Sequence, residues 1–104
     1  MIVVRRALEA QIERRVARDA LGLGVRSLKL TMRYDAGWPD RVFLLPRRPL
    51  WAEFKRPGDG PTPLQRERLE FLDALGYDTA VFDDYDEAMG KIDLQRGRRR
   101  AREP

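Results

Sequence analysis

Turn sequences cut the middle of the chain too finely for helices. Between Gly22 and Pro63, three stretches break any regular run: Tyr34-Asp35-Ala36-Gly37-Trp38-Pro39, Pro46-Arg47-Arg48-Pro49 and Pro57-Gly58-Asp59-Gly60-Pro61. What remains, residues 27–32, 41–45 and 50–55, is short and β-rich. Leu28, Leu30 and Met32 alternate onto one face of the first run. The second and third runs, joined by the Pro46–Pro49 turn, predict a hairpin.

Helical periods flank this β segment. Leu8, Ile12 and Val16 recur every fourth residue, and Ala20 extends the stripe, which predicts a helix over 4–21 closed by Gly22 and Gly24. Thr62-Pro63-Leu64-Gln65 combines a capping box with proline at the first helical position. The helix that follows should bury Leu64, Leu69, Phe71, Leu72 and Leu75 and end at Gly76. Residues 79–82 predict a short strand, and Asp83 or Asp84 should cap a last helix to about residue 92. The expected order is α-β-β-β-α-β-α, an α/β domain over 1–94. Residues 95–104 hold five arginines and no apolar period, so they should be a basic tail, disordered when free.

The chain has 104 residues, enough for one core, and neither cysteine nor histidine. Disulfides, thiolate or imidazole metal sites, and histidine acid–base catalysis are therefore excluded. Hydrolytic chemistry would have to use carboxylates, lysine or a hard cation on oxygen ligands. No apolar run reaches the roughly 18 residues of a membrane helix, and Arg5 and Arg6 interrupt the start too early for a signal peptide. A cytoplasmic protein is expected, in a bacterial or phage-infected cell. The net charge of +4 is unevenly spread. Residues 1–56 carry 13 Lys and Arg against 6 Asp and Glu; residues 57–94 carry 3 against 10; residues 95–104 carry 5 against 1. A basic half with a basic tail is the footprint of a polyanion binder, although it also fits an ordinary solvated surface.

The third strand carries the chemistry. Trp51, Glu53 and Lys55 alternate onto one face, opposite Leu50, Ala52 and Phe54. By themselves Glu53 and Lys55 would pass for a surface ion pair. Asp40, thirteen residues before Glu53, stands just ahead of the second strand, and the hairpin can bring the two carboxylates together. Two carboxylates beside a lysine suit a hard cation and a water to be oriented or deprotonated.

Pro39-Asp40 followed by Glu53-Phe54-Lys55 resembles the signature of the PD-(D/E)XK nucleases. The wider frame resembles the virus-type replication-repair nuclease (VRR-NUC) domain of that superfamily over roughly residues 9–92. The pieces that match are Ile12-Glu13, Lys29-Leu30, Gly37-Trp38-Pro39-Asp40-Arg41, Glu53-Phe54-Lys55-Arg56-Pro57-Gly58, Pro63-Leu64-Gln65 and Leu75-Gly76-Tyr77.

The resemblance implies a restriction-endonuclease-like α-β-β-β-α-β core, with a mixed central sheet flanked by helices. It implies Asp40 and Glu53 as ligands of Mg2+ or Mn2+, with the Phe54 backbone carbonyl joining them, and Lys55 as the catalytic lysine. A helix glutamate would complete the site. Glu13 matches because it follows Ile12, and Glu9, one turn earlier, is its rival. Gln65 would lie by the active site, although the capping box alone accounts for it. Lys29, Arg33, Tyr34, Arg41 and Arg56 are candidates for contact with nucleic acid. The implied activity is metal-dependent endonucleolytic hydrolysis of structured DNA, with four-way junctions cut by a homodimer. The alternatives are the same chemistry on flaps, nicks or other duplex DNA, or a DNA-binding module without catalysis. No organic cofactor and no membrane partner is expected.

Overall fold

The computed structural model describes residues 2–102, and side chains for residues 8–97. The elements are α1 (Ile2–Gly22), β1 (Ser27–Lys29), β2 (Arg41–Phe43), β3 (Leu50–Phe54), α2 (Pro63–Ala74), β4 (Asp78–Phe82) and α3 (Tyr85–Arg102). They run in the expected α-β-β-β-α-β-α order. The four-stranded sheet is ordered β1-β2-β3-β4. β1, β2 and β3 pair antiparallel, and β4 returns through α2 to lie parallel to β3. This is the mixed sheet flanked by helices that the resemblance implied.

The core lies where α1 and α3 meet the sheet. Val16 and Ala20 of α1, Phe43, Leu50, Ala52, Phe54 and Phe82 of the strands, and Ala88 and Ile92 of α3 form one buried cluster. The ring of Phe54 lies 6.3 Å from Phe43 and 5.7 Å from Phe82, so the central strand is stitched to both neighbours. Burying each ring contributes on the order of 1.5–3 kcal/mol. Tyr85 at the start of α3 donates to Asp19 and lies under the Arg15 guanidinium, which ties the two helices together.

The caps form as the sequence predicts. Thr62 accepts from the Gln65 N–H at 3.2 Å, and the Gln65 side chain accepts from the Thr62 N–H at 2.9 Å. Asp84, rather than Asp83, caps α3 by accepting from the Glu87 N–H. Asp83 instead accepts from the Gly58 N–H, pinning the loop after β3 to the end of β4.

Three expectations are corrected. In α2 only Leu69 and Leu72 are buried; Phe71 is 54% exposed, and Leu64 and Leu75 are exposed too. α2 packs against β4 and buries Leu69 and Leu72, whereas Leu64, Phe71 and Leu75 fall on the adjoining stripe. β1 ends at Lys29 rather than residue 32, and Leu28 and Met32 are exposed, because β1 is an edge strand outside the helical layer. The last helix continues past residue 92 to Arg102. Residues 103–104 lie outside the described chain.

Candidate active site

β3 runs between β2 and β4, so both of its edges are paired. Its core face takes Leu50, Ala52 and Phe54, and alternation turns Glu53 and Lys55 to the other. Both charged residues are buried: Glu53 is 2% exposed and Lys55 7%. The Lys55 N–H donates to the Phe82 carbonyl at 2.8 Å, carrying the β3–β4 ladder one residue past the strand end. That bond holds the lysine backbone in line with the glutamate. The Lys55 Nζ lies 3.4 Å from Glu53 Oε2.

Asp40 comes from the hairpin partner. Arg41 pairs with Ala52, and one further step along that register sets Asp40 against Glu53. The Phe54 N–H donates to Asp40 Oδ2 at 2.7 Å. The hairpin thus brings Asp40, Glu53 and Lys55 together, as the sequence predicts.

Electrostatics mark the pair as unsatisfied. Burial raises Glu53 from its ordinary value of 4.5 to about 8, the Asp40 charge adds to the rise, and Lys55 opposes it. Asp40 is also raised, first by burial and then by Glu13, while the Phe54 N–H and the Lys29 and Lys55 charges oppose the shift. Glu53 Oε1 is buried without a hydrogen-bond partner. A buried carboxylate oxygen left unpaired is costly unless a cation or proton reaches it.

This donor set fits a hard divalent cation: it is all oxygen, with two repelling carboxylates and one orphaned oxygen. Among the described residues, no three Asp or Glu side chains gather into a ready-made cluster, so the site offers a carboxylate pair.

α1 presents two glutamates here, and they are differently engaged. Glu13 accepts from the Lys29 Nζ at 2.9 and 2.7 Å and from the Arg41 Nε at 2.7 Å. Both of its oxygens are occupied, and the cluster ties α1 to β1 and β2. Glu9 acts on the site through its charge, which helps to raise Glu53.

The remaining expected residues are dispersed. Lys29 and Arg41 face Glu13. Arg33 lies 6.0 Å above the ring of Tyr34 on the β1–β2 loop. Arg56 lies 3.6 Å from Asp59, and its Nε is buried without a hydrogen bond. Gln65 spends its side-chain oxygen on the helix cap.

Sequence reasoning passed over the bracket that holds the loop before Asp40. Arg68 donates to Asp35 at 2.9 Å and to the Ala36 carbonyl at 3.2 Å. Its guanidinium also lies over the Trp38 ring, and Trp38 meets Phe71 edge-on at 5.9 Å. The indole N–H of Trp38 donates to Asp35 at 2.9 Å. Arg68 is 33 residues from Asp35 in the chain, and no local pattern links them. The run Leu64, Arg68, Phe71, Leu75 at helical spacing was the one available signal.

No known-family model matches the chain. A curated protein of Acyrthosiphon pisum secondary endosymbiont phage 1, named "Putative nuclease p44", is 33% identical over 79 residues, spanning 75% of this chain and 85% of that protein. A solved structure described as a VRR_NUC domain superposes with a TM-score of 0.73 at 23% identity, covering 82% of this chain and 94% of that one.

Proposed function

The chain belongs to the VRR-NUC family of nuclease domains, and on that premise we propose that it is a metal-dependent endonuclease for structured DNA. The observation that carries this reading is the Asp40–Glu53 pair. Both carboxyls are raised by burial, Glu53 further by the charge of Asp40 and Asp40 by that of Glu13; Glu53 Oε1 has no partner, and Lys55 stands 3.4 Å from Oε2.

Asp40, through Oδ1, and Glu53 would hold Mg2+ or Mn2+, with the Phe54 carbonyl beside them. When bound, such an ion polarises the phosphodiester and makes water a nucleophile near neutral pH. The Lys55 ammonium, with little room to move, stabilises negative charge developing on the phosphate. Glu9 would serve as the further α1 ligand, because Glu13 already neutralises Lys29 and Arg41. Glu13 then becomes a ligand only if those cations turn to DNA phosphates. Gln65 stands at the N-terminus of α2, where backbone N–H groups favour an anion.

We further propose branched DNA, four-way junctions in particular, as the substrate, a homodimer as the active form and the cytoplasm as its place of action. Two copies about a two-fold axis would match paired scissile strands. The exposed Leu64, Phe71 and Leu75 stripe supplies apolar surface for such contact. No helix among the described residues is long and apolar enough to cross a membrane.

The test is a panel of labelled DNAs of equal length: a four-way junction, a flap, a nicked duplex and a single strand. It is run alongside light scattering for oligomeric state. A dimer that cuts the junction in preference to the others supports the proposal. A monomer, or a preference for another member of the panel, replaces the substrate and assembly parts of it.

A further inference from the structure

The loop between β1 and β2 is built to present its tip. The Leu30 N–H donates to the Asp40 carbonyl at 2.9 Å, which closes the base of the loop at the site itself. Its second limb is clamped to α2 through Asp35, Ala36 and Trp38. Gly37, at φ +91°, passes so close to Leu64 that a Cβ would lie 2.7 Å from Leu64 Cγ. On the first limb, Met32, Arg33 and Tyr34 all face solvent. Tyr34 is 92% exposed, with the Arg33 guanidinium 6.0 Å from its ring centre. At that exposure the ring adds nothing to the core.

We propose that Tyr34 is a specificity-determining residue that stacks on an unpaired base next to the cut. The inference rests on the nuclease reading above. Three observations carry it. An anchored loop ends in a flat aromatic surface, and stacking on a base is what such a surface does best. The Arg33 guanidinium stands over one face of the ring, which leaves the other face for a base and puts a cation where it can meet the phosphate of the stacked nucleotide. Finally, Tyr34 precedes Asp40 by six residues, which span at most about 20 Å of extended chain. The contact therefore falls within a few nucleotides of the reacting phosphate. Bases inside a duplex have both faces covered by their neighbours. An unpaired base at a bulge, branch or end offers one.

The test uses the full chain in EDTA, so that binding is read apart from cutting. The probes are a perfect duplex and the same duplex with one bulged 2-aminopurine, followed by anisotropy for affinity and by the quenching of the unpaired base. The wild type should prefer the bulged duplex and quench the probe. Tyr34→Ala should lower that preference by about tenfold and lose the quenching, and Tyr34→Phe should keep both. Equal preference and quenching in wild type and Tyr34→Ala would overturn the inference, as would no preference in the wild type. A chain that cuts no DNA in any metal, yet shows the Tyr34-dependent preference, would overturn the nuclease reading, and with it the placement next to a cut, while the stacking contact itself stands.

Discussion

Glu53 concentrates the tension of the site in one side chain. Its carboxyl is raised to about 8 by burial and by the charge of Asp40, whereas the unfolded chain would titrate it near 4.5. The folded state therefore holds a proton that the unfolded state gives up. Its contribution to stability is full below about pH 4.5 and is lost as pH rises through about 8. Asp40, shifted the same way, adds to the slope. In EDTA the melting temperature should fall between pH 5 and pH 8.5, and Glu53→Gln should flatten the fall. Added Mg2+ should restore stability at the upper end, because the ionised pair is the form that takes the cation. A wild-type melting temperature indifferent to pH would contradict the description of this pair. The residues that make it were legible in the sequence, because strand alternation and hairpin return are local rules. The occupation of Glu13 was not, since its partners Lys29 and Arg41 come from strands 16 and 28 residues away.

At the scale of elements, positions depend on how α1 and α2 grip the hairpin. Gly37 is needed twice over, by its positive φ and by its approach to Leu64. Gly37→Ala should cost about 1–3 kcal/mol in urea denaturation and should weaken cleavage by displacing Asp40. Unchanged stability would mean that the loop is not clamped as described. α1 offers a sharper comparison. Glu9→Gln should lower cleavage with little change in stability. Glu13→Gln should lower stability, by about 1–3 kcal/mol, because it leaves the partly buried Arg41 without its anion. The reverse pattern would make Glu13 the ligand. The capping box and the closing glycines were readable because they act within one turn. The exposure of Phe71 was not, because the partner of its stripe is a loop more than thirty residues earlier. The extension of α3 was missed because its last turns carry arginines in place of an apolar period.

Across the whole molecule, the mixed sheet is what makes a buried charge pair possible. Antiparallel pairing with β2 brings Asp40 to Glu53, and parallel pairing with β4 covers the other side and fixes Lys55. A flat or two-stranded arrangement would leave these groups in water, where their mutual effects are small. Burial costs stability and is repaid in the reaction, when a cation and a phosphate enter the same pocket. The most direct measurement is the cleavage of one labelled DNA junction by the full chain in Mg2+, in Mn2+ and in EDTA, beside Lys55→Ala. We expect cutting in either metal, none in EDTA, and a loss of at least about a hundredfold in the variant, with its circular dichroism unchanged. Cutting that survives EDTA, or a folded Lys55→Ala that cuts as fast as the wild type, would contradict the account.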